Sequence, residues 1–289
     1  MTQSILSRAR RVAFQGEPGA YANLAAREAL PGCECVPTPT FDAALDAVRE
    51  GKTDLAIIPI ENSLHGRIAD IHHLLPDAGL YIIGEHFHRV RHQLLGIKGA
   101  TLEGVKTVLS QGPALGQCRR IIRDLKLTAQ NWHDTAGSAR HVAELKDPSV
   151  AAIASSLAAE FYGLEILKAD VEDEVHNMTR FLIMAREADD APHDGAPVIT
   201  TFIFRVRNVP AALYKAMGGF ATNGVNMTKL ESYQIGGSFN ATQFYADIEG
   251  HPEDRLVRLA LEELQFFSTK LTILGVYPAS EFRKVMPVA

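Results

Sequence analysis

Residues 55–63 read Leu-Ala-Ile-Ile-Pro-Ile-Glu-Asn-Ser, a continuous apolar run that stops abruptly in polar side chains. A strand without polar alternation cannot leave either face to water, so it belongs inside a sheet covered on both sides, as in parallel α/β sheets. The surrounding pattern agrees. Apolar runs at 11–16, 106–110, 128–132 and 150–155 alternate with helical spacing at 20–30, 41–51, 115–125, 138–145 and from 156. Such alternation implies an α/β sheet whose ligand groups lie beyond the strand carboxyl ends. Polar punctuation falls there, as Glu61-Asn62-Ser63, Ser110-Gln111-Gly112, His133-Asp134-Thr135 and Ser155-Ser156.

The alternation breaks at 187–197, EADDAPHDGAP, an acidic stretch with prolines, a glycine and no periodicity, which reads as a linker. Beyond it the order is strand 198–206, helix 210–222, strand 226–234, strand 238–247, helix 253–266 and strand 270–277. This βαββαβ order is the ferredoxin-like arrangement. A chain of 289 residues, 46% hydrophobic, suits about two domains of ordinary size. Its formal charge of −5 argues against a nucleic-acid or anionic-membrane surface. No stretch reaches the roughly 18 apolar residues of a membrane span. The basic N-terminal residues precede no apolar segment, so a cytoplasmic location is expected. Cys33, Cys35 and Cys118 make an odd count with no zinc spacing, and reduced thiols are expected.

Several clusters carry chemistry. His86, His88 and His92 would share one face of an extended segment, but Arg89 and Arg91 oppose a dication there, so a strand or hinge without metal is expected. His72 and His73 read as a helix surface. Gly16–Tyr21 is either an anion cradle or a tight turn, and lacks the dinucleotide and phosphate-loop signatures. Glu61, Asn62 and Ser63 offer a carboxylate, an amide and a hydroxyl, and Asn62 or Ser63 equally suits a helix cap. Thr135 either caps a helix or points its hydroxyl at an anion. Asn177-Met178-Thr179-Arg180 precedes the apolar run 181–184. A cation entering a core needs an anion: either an acid of 170–174 or a ligand carboxylate, which a guanidinium grips bidentately.

Five stretches in register resemble the prephenate dehydratases. They are Pro59-Ile60-Glu61-Asn62-Ser63-Leu64, Ala151–Ser155, Tyr162-Gly163-Leu164, Asn177–Phe181 and Asn226–Ser232, the last resembling the signature of that family's C-terminal ACT domain. The resemblance implies a two-lobed catalytic module over 9–187, like a type II periplasmic binding protein with the site between the lobes. A linker at 188–197 and an ACT domain at 198–281 would follow. The implied reaction is prephenate to phenylpyruvate, water and CO2 in phenylalanine biosynthesis. Aromatisation drives it, so no redox cofactor or metal is demanded.

On this resemblance Thr179, Arg180 and Phe181 form the catalytic run, Thr179 acting on the departing hydroxyl and Arg180 on a substrate carboxylate. Glu61 is a rival acid if burial raises its pKa. Asn62, Ser63, Thr135, Ser155 and Asn177 complete the substrate lining. L-Phenylalanine would bind the ACT domain at Ala211, Ala212, Leu213, Asn223, Gly224, Val225, Asn226, Met227, Glu231 and Ser232, at the seam of a homodimer or homotetramer. Ser110-Gln111-Gly112-Pro113 replaces the family's Ser-His-Pro-Gln. Ala211 stands where the family has glycine, and Tyr233-Gln234 where it has Arg-Pro. Two alternatives stand beside this reading: arogenate dehydratase, and a non-enzymatic amino-acid sensor.

Overall fold

The computed structural model describes residues 4–234 and 241–285. Three sheets organise them. The first orders its strands as Glu34–Thr38, Arg11–Gln15, Leu55–Asn62, Met178–Ala185 and Tyr81–Arg89, with Gly66–Arg67 paired on Leu55–Asn62. Leu55–Asn62 is the buried strand expected from its sequence. It runs parallel to Arg11–Gln15 and antiparallel to the late strand Met178–Ala185. The second sheet orders Glu165–Lys168, Gln93–Gly96, Val150–Ala154, Thr107–Ser110 and Thr128–Asn131. These two sheets form two lobes, and the chain crosses between them at 90–92 and 169–177. The crossings are bonded to each other, Val90 N to Asn177 O at 2.8 Å and Val171 N to His92 O at 2.8 Å.

The third sheet is antiparallel throughout, in the order Met227–Gln234, Ala241–Glu249, Val198–Val206, Ser268–Pro278. With helices Ala212–Thr222 and Arg255–Phe267 it forms the βαββαβ unit read from the sequence. The expected start of its third strand at 238 lies outside the described residues. Strict alternation divides Val198–Val206: Phe202, Phe204 and Val206 pack on the helices, whereas Ile199 and Ile203 turn to the opposite face. That opposite face does not meet water. Ile199, Ile203, Tyr233, Tyr245, Leu274 and Tyr277 share one core with Ile58, Ile60, Ile82, Leu182 and Met184 of the first lobe. The approach is close enough that a Cβ on Gly275 would lie 2.0 Å from the Ile82 carbonyl oxygen.

Some boundaries differ from the sequence expectation. The helix expected over 115–125 is two pieces, Gly112–Gly116 and Arg119–Asp124, broken at Gln117 and Cys118. His72 is buried against Tyr233 and Tyr245 rather than on a helix surface. The cysteines are free thiols. Among the described residues no helix is long and apolar enough to cross a membrane.

Candidate active site

Thr179 lies at the start of Met178–Ala185, and alternation sends Thr179 and Phe181 to one face of the strand and Arg180, Leu182 and Met184 to the other. The first face looks into the cleft between the lobes. There a cavity of about 540 Å³ is lined by Pro59, Asn62, Gln117, Thr135, Asn177 and Thr179, among others. Across the ladder Thr179 pairs with Asn62 and Arg180 with Glu61, but Phe181 pairs with Pro59, so Ile60 is an extra residue in a β-bulge. With Pro59 facing the cleft, simple alternation would aim Glu61 there too. The bulge resets it, sending Glu61 backwards and Asn62 into the site.

Asn62 organises the cleft wall. Its Nδ2 donates to Asn177 Oδ1 at 2.8 Å, Thr179 Oγ1 at 3.0 Å and Met178 O at 3.1 Å. Its Oδ1 accepts from the backbone N–H groups of Leu64 and His65. With a donor already on its oxygen, the Thr179 hydroxyl is left to donate its own proton outward. Asn177 continues the chain, donating to Gln117 Oε1 at 3.0 Å, which lies 2.7 Å from His92 Nε2. That oxygen can only accept, so Nε2 carries a proton and the Nδ1 lone pair faces the Tyr21 hydroxyl 2.6 Å away. Burial depresses the His92 pKa, keeping the ring neutral, and pushes the Tyr21 hydroxyl well up, keeping it protonated. A continuous hydrogen-bonded chain therefore runs Tyr21–His92–Gln117–Asn177–Asn62–Thr179 across both lobes. Gln117 drew no attention in the sequence, because only the break between two helices exposes its side chain. In the sequence His92 stands only as a candidate metal ligand, set aside as part of a strand or hinge segment.

From the second lobe, Thr135 is the first residue of helix Thr135–Leu145. Asp134, not Thr135, supplies the cap, accepting from Gly137 N at 2.7 Å. This helix end faces the cleft beside His133, its positive charge offset by the Asp134 carboxylate, which lines the same cavity. The turn at Gly16–Ala20 closes the lobes rather than cradling an anion. Glu17 takes both Nε and Nη2 of Arg140 at 2.7 and 2.8 Å, and a Cβ on Gly19 would sit 2.6 Å from Ala158 Cα.

Four expectations change. Arg180 does not enter the cleft: its guanidinium lies on the back face, bonded to Glu61, Glu85, Asp247 and Tyr277 rather than to the acids at 170–174. Glu61 is not a poised acid. Burial acts to raise its pKa, but the Arg180 and Lys229 charges outweigh this and hold it below the ordinary carboxylate value. Ser155 caps helix Ser156–Tyr162 and donates to Gly19 O at 2.5 Å, away from the cavity. Ser63 ties the crossing segment, donating to His176 O and accepting from Met178 N. The histidines separate as well: His86 and His88 flank Glu28 Oε2 at 3.0 and 2.8 Å, whereas His92 belongs to the cleft chain.

In the third unit, Ala211 sits at φ +62° before helix Ala212–Thr222, with Leu213 on the helix core. Asn223 Nδ2 donates to Gly219 O at 2.8 Å, and Asn226 Nδ2 to Glu249 Oε2 at 2.8 Å, so both amides are engaged within the unit. Gly224 has φ +66°, Val225 and Met227 pack on the helix core, and Glu231 pairs with Lys229 while Ser232 O accepts from Arg67.

Residues 12–189, both lobes with the cleft between them, match the family model "PDT: Prephenate dehydratase". The chain belongs to the prephenate dehydratase family. It is 53% identical over 275 residues to a Komagataeibacter europaeus protein named bifunctional N-acyl-homoserine lactone acylase/prephenate dehydratase, covering 95% of this chain and 98% of that one. It is 39% identical to the chloroplastic arogenate dehydratase/prephenate dehydratase 2 of Arabidopsis thaliana, covering 96% of this chain and 75% of the relative. The crystal structure of an Arthrobacter aurescens prephenate dehydratase in complex with L-Phe superposes with a TM-score of 0.85 at 28% identity, covering 96% of this chain and 92% of that one. The dehydratase family match ends at the linker, so the third unit lies outside it.

Proposed function

We propose that the cleft dehydrates and decarboxylates prephenate to phenylpyruvate, and that the third unit is an ACT domain responding to L-phenylalanine. The observation that carries the reading is the Thr179 hydroxyl, which accepts from Asn62 on the wall of the interlobe cavity and so keeps its own proton available to a ligand there. In the reaction the ring carboxylate leaves as CO2. Its bonding pair becomes ring π density while the opposite C–O bond breaks, and the departing hydroxide takes a proton from solvent water to leave as water. Thr179 is too weak an acid to transfer that proton alone. It stabilises the departing oxygen as a preorganised donor, a term of about 3 kcal/mol. The Thr135 hydroxyl and the imidazole of His133, on the cavity wall beside the Asp134 cap, hydrogen-bond a substrate carboxylate.

Supporting the regulatory part are the βαββαβ topology and the L-Phe complex of the Arthrobacter aurescens relative. Pairing of two copies through this unit is supported by the exposure of Tyr214 and Phe266, each 82% open on its helices. Purified protein supplied with prephenate, and separately with arogenate, tests the assignment by which of phenylpyruvate and phenylalanine forms, with and without added L-phenylalanine. No product from either substrate refutes the enzyme in favour of a sensor. A second reading, amide hydrolysis, draws on the name of the Komagataeibacter relative and on a cavity of about 600 Å³ whose walls combine Phe87, Val175, Met178 and Phe282 with the charged Glu61, Arg180, Lys229 and Arg283. Release of homoserine lactone from an N-acyl-homoserine lactone tests it.

A further inference from the structure

Directly behind the cleft wall, a buried ionic network joins the catalytic strand to the third unit. Arg180 donates from Nε to Glu85 Oε2 at 2.7 Å, from Nη1 to Glu61 Oε1 at 3.0 Å and Asp247 Oδ2 at 2.5 Å, and from Nη2 to the Tyr277 hydroxyl at 2.9 Å. Arg180 is 3% exposed at its side chain, and Glu85 and Asp247 not at all. Thr201 closes the far side, donating to Asp247 Oδ1 at 2.6 Å beside Tyr277. Glu61 Oε2 takes Lys229 Nζ at 2.6 Å, and Glu85 takes Arg283 and the Ser280 amide. Every strand of the third sheet therefore contributes: Thr201, Lys229, Asp247 and Tyr277 come one from each.

The register gives this network its meaning. Thr179 opposes Asn62 on the cleft face, and the next pair, Arg180 opposite Glu61, faces backwards. The two residues that build the donor are thus covalent neighbours of the two that the third unit grips. The bulge falls just after Arg180, so on the Leu55–Asn62 side the ladder breaks one residue beyond Thr179, while the ladder to Tyr81–Arg89 runs through this point unbroken. Past that break the Arg180 and Glu61 side chains carry the link: Arg180, Glu85 and Asp247 are buried and paired, and Glu61, 30% exposed, is held at the rim by Arg180 and Lys229.

We propose that Arg180 and Glu61 are positioning residues through which the third unit, by Asp247, Tyr277 and Lys229, sets the placement of Thr179 and Asn62 in the cleft. Movement of the third sheet is thereby transmitted to the donor hydroxyl across one strand thickness. The catalytic consequence rests on the dehydratase reading, whereas the mechanical link does not.

The test uses full-length Asp247→Asn and the milder Tyr277→Phe, measuring prephenate kinetics and amide hydrogen exchange over 177–185 in parallel. Expected are a kcat at least tenfold lower in Asp247→Asn and three- to tenfold lower in Tyr277→Phe, KM within twofold, and at least tenfold faster exchange in that segment. A scaffold role alone would lower thermal stability and leave the kcat of folded enzyme unchanged. Wild-type turnover with kcat within twofold in both variants overturns the proposal, whatever the exchange shows. If the wild type makes no phenylpyruvate, the dehydratase reading fails, and exchange alone decides the link: faster upholds it, unchanged overturns it. Should Asp247→Asn not fold, Tyr277→Phe carries the decision.

Discussion

Asn62→Ala isolates the claim that Thr179 is an oriented donor. The Asn62 amide offers two N–H hydrogens to three oxygens at 2.8, 3.0 and 3.1 Å, so truncation removes about two interior hydrogen bonds, near 1 kcal/mol each. The Leu64 and His65 amides it also serves are at an exposed turn, where water substitutes. A loss of about 2 kcal/mol leaves a protein of ordinary stability folded, with Tm lower by roughly 4–8 °C. The kinetic effect has two bounds. If the freed hydroxyl merely samples three staggered positions of which one is productive, kcat falls about threefold. If it turns inward to donate to Asn177 or Met178, the donor is lost outright and kcat falls about 10²–10³-fold, as in Thr179→Ala. In either case the two changes act on one group and cannot add. Steady-state phenylpyruvate formation by the single and double variants gives the cycle. In a Thr179→Ala background, Asn62→Ala should change kcat less than twofold. If it costs the same factor there as in the wild type, Asn62 acts independently of Thr179 and the reasoning is refuted.

Gly275→Ala should destabilise the docked third unit by about 3 kcal/mol or more, since the new methyl meets the Ile82 carbonyl with no flexible group to yield; denaturant unfolding checks it. His72, buried with both ring nitrogens unpartnered, has its pKa depressed by burial to about 4. The unfolded chain therefore binds the extra proton first as pH falls below about 6.5, and stability is lost between there and about 4, amounting to about 2 kcal/mol at pH 5. His72→Phe should remove that part of the difference between unfolding curves at pH 7 and pH 5, and an unchanged difference counts against the buried neutral ring. Ala211→Gly should stabilise by up to about 1 kcal/mol, because φ +62° strains alanine more than glycine's extra chain entropy costs. A lower melting temperature for that variant contradicts the left-handed turn.

Much of the architecture was legible because periodicity reports burial. Leu55–Ile60 declared a strand covered on both sides, and the βαββαβ order after the linker emerged with its elements displaced by only a few residues. The site was legible by residue type but not by direction. Thr179 and Asn62 meet as the motifs suggest, yet Arg180, next in sequence, points the opposite way because side chains alternate along a strand. Nor could spacing reveal the bulge at Ile60, since a single extra residue leaves no compositional mark while reversing Glu61 and Asn62. Asp247 and Tyr277, which hold Arg180, lie 67 and 97 residues away and read as ordinary positions of their strands. Gln117 lay hidden inside a continuous helical pattern that tertiary packing breaks.

The most direct test of the central claim compares prephenate turnover by Thr179→Ala and Thr179→Ser. Serine keeps the hydroxyl within reach of Asn62, whereas alanine removes it. The account predicts a kcat about 10²–10³-fold lower for alanine, largely restored by serine, with KM little changed in both. Equal kcat values for the two variants, or an alanine variant as fast as wild type, would contradict it.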